Sequence, residues 1–197
     1  MTDAVDEAGW FVRAMRKASP NFDPRPAGVP PSLLVLHNIS LPPGQFNGDA
    51  IVDFFQNRLD CDAHPFYEQI RGVRVSSHFL IRRDATVIQF VSCNDRAWHA
   101  GASNFFGRER CNDFSIGIEI EGSDEQPFDE AQYAPLAELA SALISRYSLT
   151  AVAGHSDIAP GRKTDPGPFF DWARLRRMLA LPAEYFPYLE ADQFDAG

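Results

Sequence analysis

The sequence predicts an α/β fold in one domain, with a mixed, largely antiparallel central sheet flanked by helices. Short apolar runs typical of buried strands alternate with segments of helical periodicity. A hairpin pattern over residues 77–91, together with long loops, disfavours a purely parallel sheet. With 197 residues, 45% of them hydrophobic, the chain can bury one sizeable core. We therefore expect a main domain over 31–181, preceded by a helix and extended arm over 1–30 and followed by an acidic tail over 182–197.

The first elements predicted along the chain are a short helix and an extended arm. Residues 6–17 have an apolar helical face, and the proline-rich SPNFDPRPAGVPPS that follows favours an extended backbone. The apolar run of residues 32–36 predicts a buried strand that delivers His37 and Asn38 just before the turn signal LPPG. Residues 48–59 then show helical spacing, which predicts a helix.

The second half of the chain predicts the rest of the sheet and its main helix. Residues 77–91 read HFLI, then a turn, then TVIQFV, as in a β-hairpin. Residues 115–121 alternate isoleucine with glycine and glutamate, which predicts a strand with one packed and one polar face. Residues 129–147 carry the clearest helical pattern and begin with an aspartate suited to the N-cap. Residues 149–153 predict a short strand, and Asp171 is the expected N-cap of a last helix.

Composition and charge argue against several classes of partner. The net charge of −9 and the pI of about 4.9 disfavour a nucleic-acid surface or an anionic-membrane patch, because both are built from clustered Lys and Arg. No stretch approaches the roughly 20 apolar residues of a membrane span. The first residues are acidic and include a tryptophan, where a signal peptide has a basic start and an apolar core. We expect a monomeric cytoplasmic protein whose partner is a small molecule.

The cysteines indicate neither a disulfide framework nor a thiolate zinc site. Cys61, Cys93 and Cys111 are odd in number and widely spaced, and they form no CxxC pair. This usage is typical of a protein in a reducing compartment.

The stretch GHSDIAPGRKTDPGP at residues 154–168 carries a dense group of chemically active side chains. His155, Lys163 and Asp165 lie close together there, and the prolines and glycines around them forbid a continuing helix or central strand. His155 follows a predicted strand, as does His37. Because α/β proteins keep ligand sites at the carboxyl ends of strands, these two histidines and Asp165 are candidate ligands for a zinc ion that retains an open position.

Each candidate ligand also has an ordinary interpretation. A histidine at a strand end is more often not a ligand, and an aspartate within DPGP is more often a turn former. Three further histidines, His64, His78 and His99, compete for the same role. Spacing alone does not decide which histidines bind a metal.

Four blocks of sequence indicate a family. LLVLHNISLPPG, RAWHAG, GRERCNDFSIGIEIEG and GHSDIAPGRKTDPGP, the last followed by DWARLR, resemble in this order the zinc N-acetylmuramoyl-L-alanine amidases. That family belongs to a superfamily shared with peptidoglycan recognition proteins, and the similarity runs over residues 10–179. The resemblance implies one zinc ion per chain, held by His37, His155 and Asp165.

The resemblance also implies catalytic roles for Glu119 and Lys163, and the chemistry of amide hydrolysis suits these residue types. Zinc lowers the pKa of a bound water from about 15.7 to about 7. Glu119, on the polar face of its strand, is the candidate to orient that water and to carry its proton to the departing amine. Lys163, two residues from Asp165, is the candidate to stabilise the oxyanion. The ordinary interpretations are a solvated strand glutamate and a surface lysine.

The substrate that the resemblance implies is a cell-wall fragment. The enzyme would cleave the amide between the lactyl group of 1,6-anhydro-N-acetylmuramic acid and L-alanine during muropeptide recycling, and would thereby influence β-lactamase induction. Arg74 and Arg110 match positions that contact the peptide, whose carboxylates suit guanidinium groups. Trp98 offers an aromatic wall, and Asn38 an amide for the substrate. Ordinary salt bridging within loops is the alternative for the arginines.

Two other functions are compatible with the sequence. One is an amidase that acts on polymeric peptidoglycan, and the other is a non-catalytic muropeptide-binding module. The second is disfavoured because all three implied ligands are present. In the family, His78 and His99 are not ligands, so the resemblance gives them a structural or pocket-lining role.

Overall fold

The computed structural model of the protein describes residues 4–189. Its strands are β1 (Met15–Arg16), β2 (Phe22–Pro24), β3 (Leu33–Ile39), β4 (Phe79–Ile81), β5 (Val87–Gln89), β6 (Asp95–Ala97), β7 (Asn104–Phe105), β8 (Arg108–Glu109), β9 (Ser115–Glu121) and β10 (Ala151–Gly154). Its helices are α1 (Ala50–Phe55), α2 (Pro65–Gln69), α3 (Glu130–Tyr147), α4 (His155–Ile158) and α5 (Trp172–Leu179), with 3-10 turns at Cys111–Asp113 and Ala183–Tyr185.

The central sheet has the strand order β1-β5-β4-β9-β3-β10. The α/β class with a mixed sheet is confirmed, but the prediction that the sheet is largely antiparallel is wrong. Among the described residues, β4 and β5 are the only neighbouring strands of this sheet that pair antiparallel, and the other four pairs of neighbours are parallel. The predicted hairpin was therefore correct, but it accounts for one pair of strands only. The remaining connections run through helices and long loops, and such crossovers place strands in parallel.

The two faces of the central sheet differ in chemistry. One face is the main apolar core, where Leu34 and Leu36 of β3 and the three isoleucines of β9 pack with leucines of α3 and α5. The opposite face carries His37, which is paired in register with Glu119 of β9. All seven residues of β9 are buried, so the polar face predicted for this strand points into the protein rather than into bulk water.

The longest helix is fixed at its start by a capping box. The Asp129 carboxylate accepts a hydrogen bond from the Ala131 amide at 3.0 Å, and the Gln132 side chain accepts one from the Asp129 amide at 2.9 Å. Gln132 also donates to the carbonyl oxygens of Ile81 and Glu121, each at 3.1 Å. The predicted helix and its N-cap are therefore confirmed, and the cap ties α3 to two strands of the sheet.

The helix predicted over residues 6–17 is wrong. This segment forms turns and then β1, which pairs with β5. The buried Gln89 side chain accepts a hydrogen bond from the Phe11 amide at 2.7 Å and donates to the Gly9 carbonyl at 2.8 Å. The backbone groups that a helix would pair internally are therefore hydrogen-bonded to a side chain from another part of the chain. The Phe11 ring is buried in the core although the segment is not helical.

The arm over residues 18–30 is held by Arg25, a half-buried arginine. The Arg25 guanidinium donates hydrogen bonds of 2.9–3.2 Å to the carbonyl oxygens of Cys93, Asn112, Asp113 and Ser115. At the other end of the chain, Phe186 is fully buried in the core. The rest of the predicted acidic tail, residues 190–197, lies outside the described residues. Within residues 4–189, no helix combines the length and apolarity that a membrane span requires.

Candidate functional site

The carboxyl ends of β3 and β10 bring two histidines together. The strands pair in parallel with Gly154 opposite Leu36, so His155, the next residue, lies beside His37. Both residues are buried, at 1% and 3% exposure, and their Nδ1 atoms are 3.0 Å apart. Two histidines that are 118 positions apart in the chain thus face one point at the sheet edge.

Asp165 completes a group of three. Its Oδ2 lies 2.9 Å from His37 Nδ1 and 3.0 Å from His155 Nδ1. The loop that carries it is anchored on both sides, because the Asp165 carbonyl accepts a hydrogen bond from the Ser156 amide at 2.8 Å and the Pro166 carbonyl accepts one from Asn38 at 3.0 Å. His37, His155 and Asp165 therefore form a compact group that could hold a metal ion.

The donor set suits zinc in type and spacing. Two imidazole nitrogens and a carboxylate oxygen are ordinary zinc ligands, and bonds of about 2.0–2.1 Å in a tetrahedron place ligand atoms roughly 3.3 Å apart. The separations of 2.9–3.0 Å between the three atoms are a few tenths of an ångström shorter. Small outward shifts of the three side chains would bring these separations to the tetrahedral value.

The electrostatics of the group favour the forms that bind metals. Burial lowers the pKa of His37 to about 4, so its imidazole is neutral near pH 7. Burial by itself would raise the pKa of Asp165, but hydrogen bonds from His155 and His37 outweigh it and hold this pKa below its ordinary value. The group therefore combines a neutral imidazole with an ionised carboxylate, which zinc requires of such ligands.

Glu119 lines one cavity together with His37, His155 and Asp165, and its carboxyl group has an oxygen without a hydrogen-bond partner among the described residues. The residue is 8% exposed, and its Oε2 has no hydrogen-bond partner in the described part of the chain. Burial, and then the nearby charge of Asp165, raise the pKa of Glu119 well above its ordinary value. An unpaired buried carboxyl is costly, so its persistence beside the three-residue group indicates a chemical role.

A cavity of about 230 Å³ joins these residues to three other predicted site residues, Lys163, Trp98 and Asn38. Lys163 is exposed at its edge. Trp98 donates from Nε1 to Asp23 at 3.2 Å. The Asn38 amide donates to Asp124 at 2.6 Å and to the Pro166 carbonyl, so its oxygen remains as the group that can contact a ligand.

The two predicted peptide-binding arginines do not line this cavity. Arg74 is exposed beside a separate cavity of about 200 Å³, which shares Phe54 with the first. Arg110 lies on the loop after the β7–β8 hairpin, with its side chain 70% exposed, and lines a cavity of about 530 Å³ together with Arg162. The structure therefore places these arginines around the central site rather than in it.

The structure also separates the five histidines. His64 caps α2 by accepting a hydrogen bond from the Phe66 amide at 3.1 Å. His78 accepts one from the Gly117 amide at 3.0 Å. His99 lies behind His37, with its Nδ1 2.9 Å from His37 Nε2. Geometry thus selects His37 and His155, which spacing in the sequence did not.

Sequence reasoning missed Asp124 and Asn112, the loop residues that hold Asn38 and the backbone of residues 99–100. Asp124 lies in a polar loop and Asn112 in the short 3-10 turn Cys111–Asp113, so no periodic pattern marks either of them. Their importance follows only from the contacts they make.

Comparisons with known proteins place the chain in a family. The family model described as N-acetylmuramoyl-L-alanine amidase matches residues 27–168. The 1,6-anhydro-N-acetylmuramyl-L-alanine amidase AmpD of Salmonella typhimurium is 55% identical over 179 residues, which cover 90% of this chain and 96% of that protein. A crystal structure of a selenomethionine AmpD derivative superimposes with a TM-score of 0.86 at 53% identity, covering 89% of this chain and 98% of the other.

A further solved structure contains a ligand. It is the Escherichia coli amidase AmiD in complex with anhydro-N-acetylmuramic acid-L-Ala-D-gamma-Glu-L-Lys. It superimposes with a TM-score of 0.57 at 33% identity, covering 77% of this chain and 59% of the other. From the matched family model and these relatives together, this chain belongs to the N-acetylmuramoyl-L-alanine amidase family.

Proposed function

We propose that this amidase hydrolyses the amide between the lactyl group of 1,6-anhydro-N-acetylmuramic acid and L-alanine, using one zinc ion per chain. The observation that carries the proposal is the unpaired buried carboxyl of Glu119 in the same cavity as His37, His155 and Asp165. Support for the substrate comes from the AmpD relative, which this chain matches over 96% of its length, and from the ligand in the AmiD complex.

In this proposal His37, His155 and Asp165 hold the zinc ion. When bound, zinc supplies a Lewis acid that brings the pKa of a bound water from about 15.7 to about 7. The three residues come from two strand ends and a rigid loop, so they are positioned before the metal arrives. Pre-positioned ligands favour tight binding because little ordering has to occur.

Glu119 acts as the general base and then as the general acid. Its carboxylate accepts the proton of the attacking water at the free Oε2 and delivers it to the leaving nitrogen of L-alanine. Both transfers need a pKa closer to the working pH than that of an exposed glutamate, and burial shifts the Glu119 pKa in that direction. The register opposite His37 keeps the carboxyl at the metal group.

Lys163 stabilises the oxyanion in this mechanism, and replacing it with methionine is expected to lower kcat by roughly 100-fold to 1000-fold. Methionine keeps an unbranched side chain at the cavity edge but removes the charge. Zinc content should stay at the wild-type level, since Lys163 is not a proposed ligand. The matched control is Lys17→Met at the other lysine of the chain, with steady-state kinetics as the measurement. A kcat within a few-fold of wild type for Lys163→Met would remove the lysine from this role.

Arg110 binds the stem peptide in this proposal, because it lines the cavity of about 530 Å³ beside the central site. Arg110→Ala is expected to raise KM on a tripeptide-bearing substrate much more than on a substrate that ends after L-alanine. A lost charge-assisted hydrogen bond corresponds to a change of roughly tenfold or more. Arg108→Ala serves as the control: it removes a charge two residues away, on β8, where Arg108 stacks on Phe114 outside the cavity. Equal effects on both substrates would place Arg110 outside the peptide subsite.

The experiment that tests the proposed function is product analysis on two substrates. Purified protein is incubated with soluble anhydro-muropeptide and, separately, with intact sacculi, and the products are identified by mass spectrometry. Free stem peptide released mainly from the soluble fragment is the expected result. Faster release from sacculi would favour the polymeric-wall amidase, and binding without release would favour a recognition module.

The wider role rests on the resemblance of the sequence. Muropeptide recycling, the influence on β-lactamase induction, a monomeric state and a cytoplasmic location stay predictions. Each has its own test, such as muropeptide accumulation in cells that lack the protein.

A further inference from the structure

Two consecutive residues contact both histidines of the metal group. His99 Nδ1 lies 2.9 Å from His37 Nε2, and the Ala100 carbonyl oxygen lies 3.0 Å from His155 Nε2. Each contact is made at the ring nitrogen opposite the one that faces Asp165. One dipeptide therefore occupies the outer side of both imidazoles.

These contacts suit metal binding at Nδ1 of both rings. A metal on His155 Nδ1 would leave the ring proton on Nε2, where the Ala100 carbonyl, 3.0 Å away, can accept it. Arg162 Nη2 lies 3.3 Å from the same nitrogen and makes a shorter hydrogen bond to the Ala100 carbonyl. For His37 to offer Nδ1, its Nε2–H must donate to His99 Nδ1, and His99 Nε2–H then donates to Ser115 Oγ, which is 3.1 Å away. The chain of hydrogen bonds ends on a hydroxyl that can accept.

The dipeptide is itself held in place. The Asn112 side-chain oxygen accepts hydrogen bonds from the amides of His99 and Ala100, at 3.1 and 2.8 Å. Arg162 donates to the Ala100 carbonyl at 2.8 Å. The ring of His99 lies against Gly117, where an added Cβ would meet its Cγ and Nδ1 at 2.6 Å. Only glycine at position 117 leaves room for this ring position.

We propose that the dipeptide His99–Ala100, pinned by Asn112, is the element that orients both metal-binding histidines and sets their tautomers. His99 and Asn112 are then positioning residues for the amidase reaction, because they act through the two metal-binding histidines. The inference rests on the proposed zinc site. Outer partners of this kind typically contribute about 10-fold to 100-fold to metal affinity or activity.

The first test compares two replacements of His99 of similar size. His99→Asn keeps an acceptor oxygen near the position of Nδ1, whereas His99→Leu has none. Zinc affinity, measured by competition with a chromophoric chelator, should fall about 10-fold to 100-fold for His99→Leu and stay within a few-fold of wild type for His99→Asn. Circular dichroism and thermal melting of the metal-free proteins check that both variants fold.

The second test changes the dipeptide's supports rather than His99 itself. Gly117→Ala should reproduce the loss seen for His99→Leu, because the added methyl group displaces the ring without removing a polar atom. Asn112→Ala should also weaken zinc binding, and Asn112→Asp, which keeps the accepting oxygen, should restore most of it. Equal zinc affinities for His99→Leu and His99→Asn, or for Asn112→Ala and Asn112→Asp, would overturn the inference.

A measurement on the unmodified protein does not depend on any variant folding. In zinc-loaded wild-type protein labelled with ¹⁵N, long-range imidazole spectra should show His37 and His155 as Nε2–H tautomers with slowly exchanging protons. Nδ1–H tautomers, or Nε2–H protons that exchange as fast as the ring proton of half-buried His64, would overturn the inference while leaving a zinc site intact. If the wild-type protein takes up no zinc at all, the proposed function fails as well.

Discussion

Replacing Asp165 with asparagine is expected to remove zinc and to reduce amidase turnover to the level of metal-free protein, a loss on the order of 1000-fold or more. The Asp165 oxygen lies 2.9–3.0 Å from both histidine nitrogens and is the anionic member of the group. Asparagine has the same shape but no charge, so the group of three would lose its only anionic member. Metal analysis of the purified variant and steady-state kinetics on anhydro-muropeptide are the measurements.

The control for this change is Asp62→Asn, at an exposed carboxylate paired with Arg71 far along the chain from the metal group. It should retain zinc and activity, because a surface ion pair contributes little. An Asp165→Asn protein with a full complement of zinc and wild-type turnover would show that the aspartate is a turn former and not a ligand.

Glu119→Gln should lower kcat by about 100-fold to 10,000-fold while zinc stays bound. The amide occupies the same space but cannot accept the proton of the attacking water. Glu121→Gln is the matched control: it lies on the same strand face, but its carboxylate already accepts hydrogen bonds from the amides of Asn47 and Arg83. Replacing this carboxylate should lower the free energy of unfolding by about 1–3 kcal/mol and leave kcat close to the wild-type value.

The Glu119 substitution should also stabilise the metal-free protein at neutral pH. Burial raises the folded-state pKa of Glu119 above its unfolded value, so ionisation of this carboxyl opposes folding. Wild-type stability is therefore reduced as pH rises from the unfolded pKa, near 4.5, towards the raised folded pKa. Over this pH range, the melting temperature of metal-free Glu119→Gln should rise increasingly above that of the metal-free wild type. A difference in melting temperature that stays constant with pH would contradict an unpaired buried carboxyl.

The sequence predicts individual helices and the hairpin well, and the pairing of distant strands less well. The helix after Asp129 and the hairpin of β4 and β5 follow from periodicity and capping, which are local properties. The parallel pairing of β3 with β9 and β10 depends on crossovers whose direction no single segment encodes. The prediction of a helix over residues 6–17 was wrong for a related reason. The Phe11 amide donates to the side chain of Gln89, 78 positions away, instead of to a carbonyl within a helix.

The candidate site was predictable in its components but not in its arrangement. Residue types, strand ends and the dense stretch at residues 154–168 pointed to His37, His155 and Asp165 as candidate ligands. Only the family resemblance gave catalytic roles to Glu119 and Lys163. The sequence could not show that His99 lies behind His37, because that contact requires a glycine on β9 and an asparagine in a loop. Nor could it show that Arg74 and Arg110 line cavities beside the central one.

Removal and return of the metal tests the account most directly. Purified protein is stripped with a chelator, the residual zinc is quantified, and release of stem peptide from anhydro-muropeptide is followed as zinc is added back. We predict background turnover in the stripped protein and full recovery at one equivalent of zinc per chain. Full turnover by protein shown to contain no metal would contradict the central claim that His37, His155 and Asp165 act through one bound ion.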